Sequence, residues 1–234
     1  MTNSSTIMIT GANRGIGLAF VEKYLQQGDQ VIACCRHPGE AHQLHSLKRI
    51  HKDQLQMHTL DVDAPESIEQ LANKLSTARI DILINNAGVY GPKGSVLGEI
   101  SQNDWQKVFT TNAIAPLLVC QAFQQQVAQS QQKIMVCISS KMGSMADNSS
   151  GGSYIYRSSK AALNAVVKSL ALDLYNHEIK IVALHPGWVQ TEMGGANALI
   201  STTKSVDSMV RVIENIDENQ IGRMLNYDGT VIPW

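Results

Sequence analysis

Short apolar runs rich in β-branched residues alternate with amphipathic stretches along the whole chain. The runs lie near residues 6–10, 30–35, 54–60, 80–85, 132–139, 179–184 and 223–226. Helical patterns fill 15–27, 40–51, 65–77, 103–129, 156–176 and 205–215. Strands that are apolar almost throughout, separated by helices, predict a parallel sheet covered on both faces. The expectation is one doubly wound α/β domain over residues 1–234 with about seven parallel strands. No repeat, low-complexity tract or linker divides it. The irregular segments 89–99, 141–153 and 193–204 are rich in Gly, Ser, Ala and Asn. They follow the fourth, fifth and sixth strands, at the carboxyl edge where such sheets bind ligands.

Composition narrows the partners. With 44% hydrophobic and 17% charged residues, the chain can build a sizeable core. Its net charge of −1, without long runs of like charge, predicts neither nucleic-acid nor membrane binding. Apolar runs such as KIMVCI and IVALHP are too short to span a bilayer. A first strand at 6–10 leaves no signal peptide to read. Cys34, Cys35, Cys120 and Cys137 sit in apolar surroundings without a C-x-x-C spacing. Buried thiols in a reducing cytosol are expected, hence a cytoplasmic location. His37, His42, His45 and His51 lack the carboxylate or thiolate spacing of a metal site and read as a solvated helix surface, so no metal is expected.

ITGANRGIGLAF follows the first strand and opens a helix. Gly11 permits the tight turn, Gly15 lets the backbone approach a pyrophosphate, and Gly17 allows close helix–sheet packing. Asn13, Arg14 and Ile16 complete the loop, and the whole is a candidate dinucleotide site of Rossmann type. A site for NAD usually ends the second strand with an acid that bonds the ribose 2′-hydroxyl. Here VIACCRHP ends in Arg36, and Arg14 stands in the glycine loop. Two guanidinium groups suit a 2′-phosphate, so the expected cofactor is NADP(H).

The stretch GGSYIYRSSKAALN raises a separate question of pairing. On a helix, residues four apart are roughly 40° apart around the axis and residues six apart about 240°. Tyr156 therefore meets Lys160, whereas Tyr154 does not. Met142, Met145 and Met193 fall in the cleft loops, where they suit either an adaptable substrate surface or core filling.

TGANRGIG, NNAG at 85–88, YRSSK and HPGWVQT at 185–191, in that order, resemble the short-chain dehydrogenase/reductase family over almost the whole chain. SSKMGSMADNSSGGSYIYRSSKAALN, HPGWVQTEMGG and LNYDGTVIPW resemble its C-factor group, which includes sniffer-type carbonyl reductases. The resemblance implies Tyr156 as catalytic acid/base. It implies Lys160 as binder of the nicotinamide ribose that depresses the tyrosine pKa, Ser140 as hydrogen-bond donor to the substrate oxygen, and Asn112 as holder of a relay water. Ser140 is preferred to Ser139 because it lies three residues before Gly143. Asn85, Ala87 and Gly88 would line the cofactor cleft, and Asp61 and Val62 would contact adenine. Pro186, Gly187, Val189 and Thr191 would face the nicotinamide and nearby phosphate. The interval from Ser140 to Tyr156 is longer than in many members, through DNSSGG.

The implied activity is NADPH-dependent reduction of a small-molecule ketone, aldehyde or quinone by a homodimer or homotetramer. Two alternatives stay open: a nucleotide-binding regulatory or signalling protein that kept the fold, and an NAD-linked alcohol oxidase, which Arg36 disfavours.

Overall fold

The computed structural model describes residues 4–94 and 96–234. Eight strands form one sheet in the order β3-β2-β1-β4-β5-β6-β7-β8. They are β1 (Thr6–Thr10), β2 (Gln30–Cys35), β3 (Leu55–Thr59), β4 (Ile82–Asn85), β5 (Ile134–Ile138), β6 (Lys180–His185), β7 (Met224–Asn226) and β8 (Val231–Ile232). The first seven run parallel, as the sequence predicts. β8 adds an antiparallel strand that periodicity misses because it is two residues long. Its hairpin turn is built by Asp228, whose carboxylate accepts from both the N–H and the hydroxyl of Thr230.

The helices are α1 (Gly15–Gln27), α2 (His42–Ile50), α3 (Pro65–Lys74), α4 (Gln102–Phe109), α5 (Ala115–Ala128), α6 (Tyr154–Asp173) and α7 (Thr202–Glu214). Alternation along each strand sends successive residues to opposite faces. Ile7 and Ile9 of β1 join a core under α1, α2 and α7, while Met8 between them joins a second core under α3, α5 and α6. The adjacent cysteines of β2 divide the same way, Cys35 to the first core and Cys34 to the second. All four thiols are free and buried.

The predicted helix 103–129 is interrupted: a π-helical turn, Thr110–Ile114, separates α4 from α5. Pro116 explains the break, since it has no N–H to give the carbonyl of Asn112 four residues earlier. The sheet order reverses at β1, which lies between β2 and β4. That switch point opens a crevice at the carboxyl ends of β1 and β4.

Candidate active site

The glycine loop crosses this crevice. Gly11 and Gly15 have φ of +63° and +55°, the left-handed region that favours glycine. A Cβ at Gly17 would lie 2.2 Å from the carbonyl oxygen of Gly11, so no side chain fits where α1 meets the loop. No side chain caps the first turn of α1, and that turn carries no acid. Its N–H groups stay available to an anion, so the loop fits a pyrophosphate.

Two residues that the sequence reading missed hold the crevice in shape. Thr10 Oγ1 accepts from the N–H groups of Asn86 and Ala87, both at 3.0 Å. Asn86 Nδ2 donates to the carbonyls of Thr10 (2.9 Å) and Gly11 (3.1 Å). By contrast, the Asn85 amide points into the interior, donating to Cys120 Sγ at 3.2 Å. The Asp61 carboxylate accepts from the N–H of Asp63 in a local turn, and Val62 is half-buried against the second core.

Arg36 is exposed directly after β2, with no carboxylate at the strand end. Arg14 reaches across to Glu192 at 2.6 Å. Both members of that pair are largely exposed, so the contact is worth at most about 1 kcal/mol and opens easily. Thr191, beside Glu192, closes the far wall: a Cβ at Gly15 would lie 3.6 Å from its methyl group. Pro186 and Gly187 begin this wall, with Ser205 Oγ donating to the Pro186 carbonyl at 2.6 Å. Val189 is buried and bridges to Ile200.

Tyr156, Lys160, Ser140 and Asn112 are all buried and converge beside the crevice. Tyr156 and Lys160 occupy successive turns of α6, with Lys160 Nζ 5.9 Å from the phenol ring centre. Ser140, just past β5, accepts from the Met142 N–H at 3.2 Å, and its hydroxyl lies near enough to Tyr156 to pull the phenol's pKa down. Its neighbour Ser139 turns inward and donates to Asn164 Oδ1 at 2.6 Å. The longer interval before Tyr156 is held by Arg157, which donates to Ser150 Oγ at 2.9 Å and to the Met142 carbonyl at 3.3 Å. Gly143 lets this loop lie on the helix, since a Cβ there would meet Lys160 backbone at 2.8 Å.

The Asn112 side chain is fully engaged by protein. It donates to the Val89 carbonyl (2.8 Å) and Ser159 Oγ (3.0 Å) and accepts from the Val89 N–H (2.9 Å). Ser159, also missed in the sequence, donates in turn to the Tyr156 carbonyl at 2.8 Å. Gly88 passes close above, where a Cβ would lie 3.2 Å from Asn112 Oδ1 and 3.6 Å from Lys160 Nζ.

Electrostatics differ from the expectation in one respect. Lys160 Nζ donates to the Ile138 carbonyl at 2.9 Å, and burial pulls its pKa down to about 8. Burial likewise pushes Tyr156 up to about 12, against the downward pull of the Ser140 hydroxyl. Desolvation outweighs that pull, so the phenol holds its proton at neutral pH. Among the described residues no group of three His, Cys, Asp or Glu side chains is placed to hold a metal, and no helix is long and apolar enough to cross a membrane.

This geometry has known counterparts. The family model for short chain dehydrogenase matches residues 5–199. The chain belongs to the short-chain dehydrogenase family. It is 43% identical over 163 residues to the C-signal of Myxococcus xanthus, covering 70% of this chain and 98% of that protein. Among solved structures, the carbonyl reductase Sniffer of D. melanogaster superposes with a TM-score of 0.93 at 30% identity, over 99% of this chain and 100% of that one. The NADPH-bound carbonyl reductase from chicken fatty liver superposes with a TM-score of 0.92 at 36% identity, over 99% of each chain. The chain is accordingly an oxidoreductase of this family.

Proposed function

We propose that the chain reduces a ketone, aldehyde or quinone to an alcohol with NADPH, using Tyr156 as the general acid. The observation that carries this reading is the buried Tyr156 one helical turn from Lys160, with Ser140 close to the phenol. Bound NADPH supplies the hydride. The glycine loop amides hold the pyrophosphate, and Arg36, exposed where an NAD site would carry an acid, takes the 2′-phosphate. Arg14 joins it once released from Glu192.

The Ser140 hydroxyl donates to the substrate oxygen and fixes it beside Tyr156. As negative charge grows on that oxygen, Tyr156 passes it the phenolic proton. The phenol is protonated at neutral pH, the form that donates to the substrate oxygen in reduction. The Lys160 ammonium stabilises the phenolate left behind, and Asn112 holds the Val89 loop over this proton path. Met145 and Met193, both exposed on the cleft loops, offer the substrate an apolar rim. Two or four copies associate in this reading, which the exposed Ile114 and Leu172 on the long helices support.

The test is NADPH consumption across ketones, aldehydes and quinones. Turnover is expected with NADPH and weakly or not at all with NADH. Tyr156→Phe should lose about 10²-fold or more in kcat while binding NADPH as the native protein does. Tight NADPH binding with no turnover across a wide panel would favour a second reading, a nucleotide-binding signalling protein of the same fold. The likeness to C-signal is what supports that alternative.

A further inference from the structure

The loop after β4 carries an aromatic side chain to which the reading above assigns no role. Tyr90 lies with its ring centre 4.6 Å from that of Tyr156, the planes 28° apart. Its hydroxyl is 3.0 Å from Ser153 Oγ. Ser153 immediately precedes α6 and is held at φ +46°, after Gly151 and Gly152 at +66° and +64°. Tyr90 is itself gripped from both sides. Val89 is fixed by the Asn112 amide, and Gly91 has Val108 where a Cβ would lie, at 2.8 Å. A cavity of about 60 Å³ opens beside the stacked rings, lined in part by Tyr90, Ser153, Tyr154 and Tyr156.

We propose that Tyr90 is a positioning residue for the reaction: its ring shields one face of Tyr156 from water and fixes the phenol plane, and its hydroxyl ties the β4 loop to the start of α6. This rests on Tyr156 being the acid. The titratable groups facing Tyr156 are Lys160 on its own helix and Tyr90 from the β4 loop, while Ser140 adds a hydroxyl from the end of β5. None is a carboxylate. Burial, to which the stacked ring adds, raises the phenol's pKa, and the ring holds the phenol plane in place for proton transfer. The hydroxyl tie joins two loops that border the same cleft, so it governs how the mouth of the site is held rather than the acidity of Tyr156.

The test separates ring from hydroxyl. Tyr90→Leu removes the stack, Tyr90→Phe keeps it without the hydroxyl, and Ser153→Gly removes the hydroxyl's partner while tolerating the backbone. The ionisation of Tyr156 is followed by tyrosinate absorbance as the difference between each protein and the same protein carrying Tyr156→Phe. That readout needs no substrate, so it stands even if no carbonyl is turned over. Tyr90→Leu should lower the Tyr156 midpoint by about one pH unit or more and reduce kcat about tenfold. NADPH affinity should be unchanged. Tyr90→Phe should keep the native titration midpoint, and both it and Ser153→Gly should raise KM rather than move that midpoint. If Tyr90→Leu does not fold, Tyr90→Ala makes the same comparison. An unmoved midpoint without the ring, or an equal shift in Tyr90→Phe, would overturn the proposal. Absent turnover in the native protein with the midpoint shifted as expected would instead count against the reductase reading alone.

Discussion

Lys160 has one protein partner for its ammonium, the Ile138 carbonyl, and is almost wholly buried. In the proposed reaction a charge so placed stabilises the phenolate at the expense of the fold. Its pKa is lowered from 10.5 to about 8 in the folded chain, so the unfolded chain binds the proton more tightly. Stability therefore rises with pH between about 8 and 10.5 and is at its lowest, for this group, below pH 8. Lys160→Met keeps the aliphatic stem and removes the charge. It should raise unfolding free energy at pH 7 by about 1–3 kcal/mol, with the gain gone above pH 10.5, while turnover collapses. Denaturant midpoints at pH 7 and pH 10.5 check this; equal midpoints for the two proteins at pH 7 would show that burial costs the ammonium nothing.

At the scale of elements, the break between α4 and α5 sets the position of Asn112. Pro116→Ala restores a donor that the Asn112 carbonyl can accept, which lets the π turn relax toward a regular helix. The Asn112 amide then turns away from Val89 and Ser159. Turnover should fall about tenfold while the thermal midpoint stays level or rises; an unchanged kcat would mean the π turn has no part in the chemistry. This break also marks the limit of what periodicity reveals. The apolar repeat runs through 103–129 without interruption, so the pattern of buried positions gives no sign of the π turn. Most of the parallel strands were legible because they are apolar almost throughout, although β3, with Gln56, His58 and Thr59, is not. The glycine loop was legible because its constraint is steric and local. Thr10, Asn86 and Ser159 were not, since each acts by bonding an element distant in sequence. Asn85 reads like a cleft residue, yet its amide is directed inward to Cys120. Spacing paired Tyr156 with Lys160 and the family resemblance supplied their implied roles, but their acidities follow from burial, which only the packed structure gives.

Over the whole molecule, the carboxyl edge of the sheet gathers both the proposed catalytic groups and a buried titratable side chain outside them. His185 ends β6 on this edge, and among the described residues its buried Nδ1 has no hydrogen-bond partner. Burial and the Lys141 ammonium bring its pKa down to about 4, with Asp147, ion-paired to Lys141 at 3.1 Å, pulling the other way. The unfolded chain takes up this proton near pH 6.5 and the folded chain only near 4. Stability contributed by the neutral imidazole is thus intact above pH 6.5 and is lost as the pH falls from 6.5 to 4. Because β6 lies between β5 and β7 in one continuous sheet, protonation here is resisted by cooperative packing rather than by local opening. Thermal midpoints of the native protein should fall steadily from pH 6.5 to 4.5, and His185→Gln should flatten that acid limb without moving the midpoint at pH 8. Parallel slopes in the two proteins would place the acid sensitivity in the carboxylates instead, chiefly in those that are hydrogen-bonded as Asp228 is by Thr230.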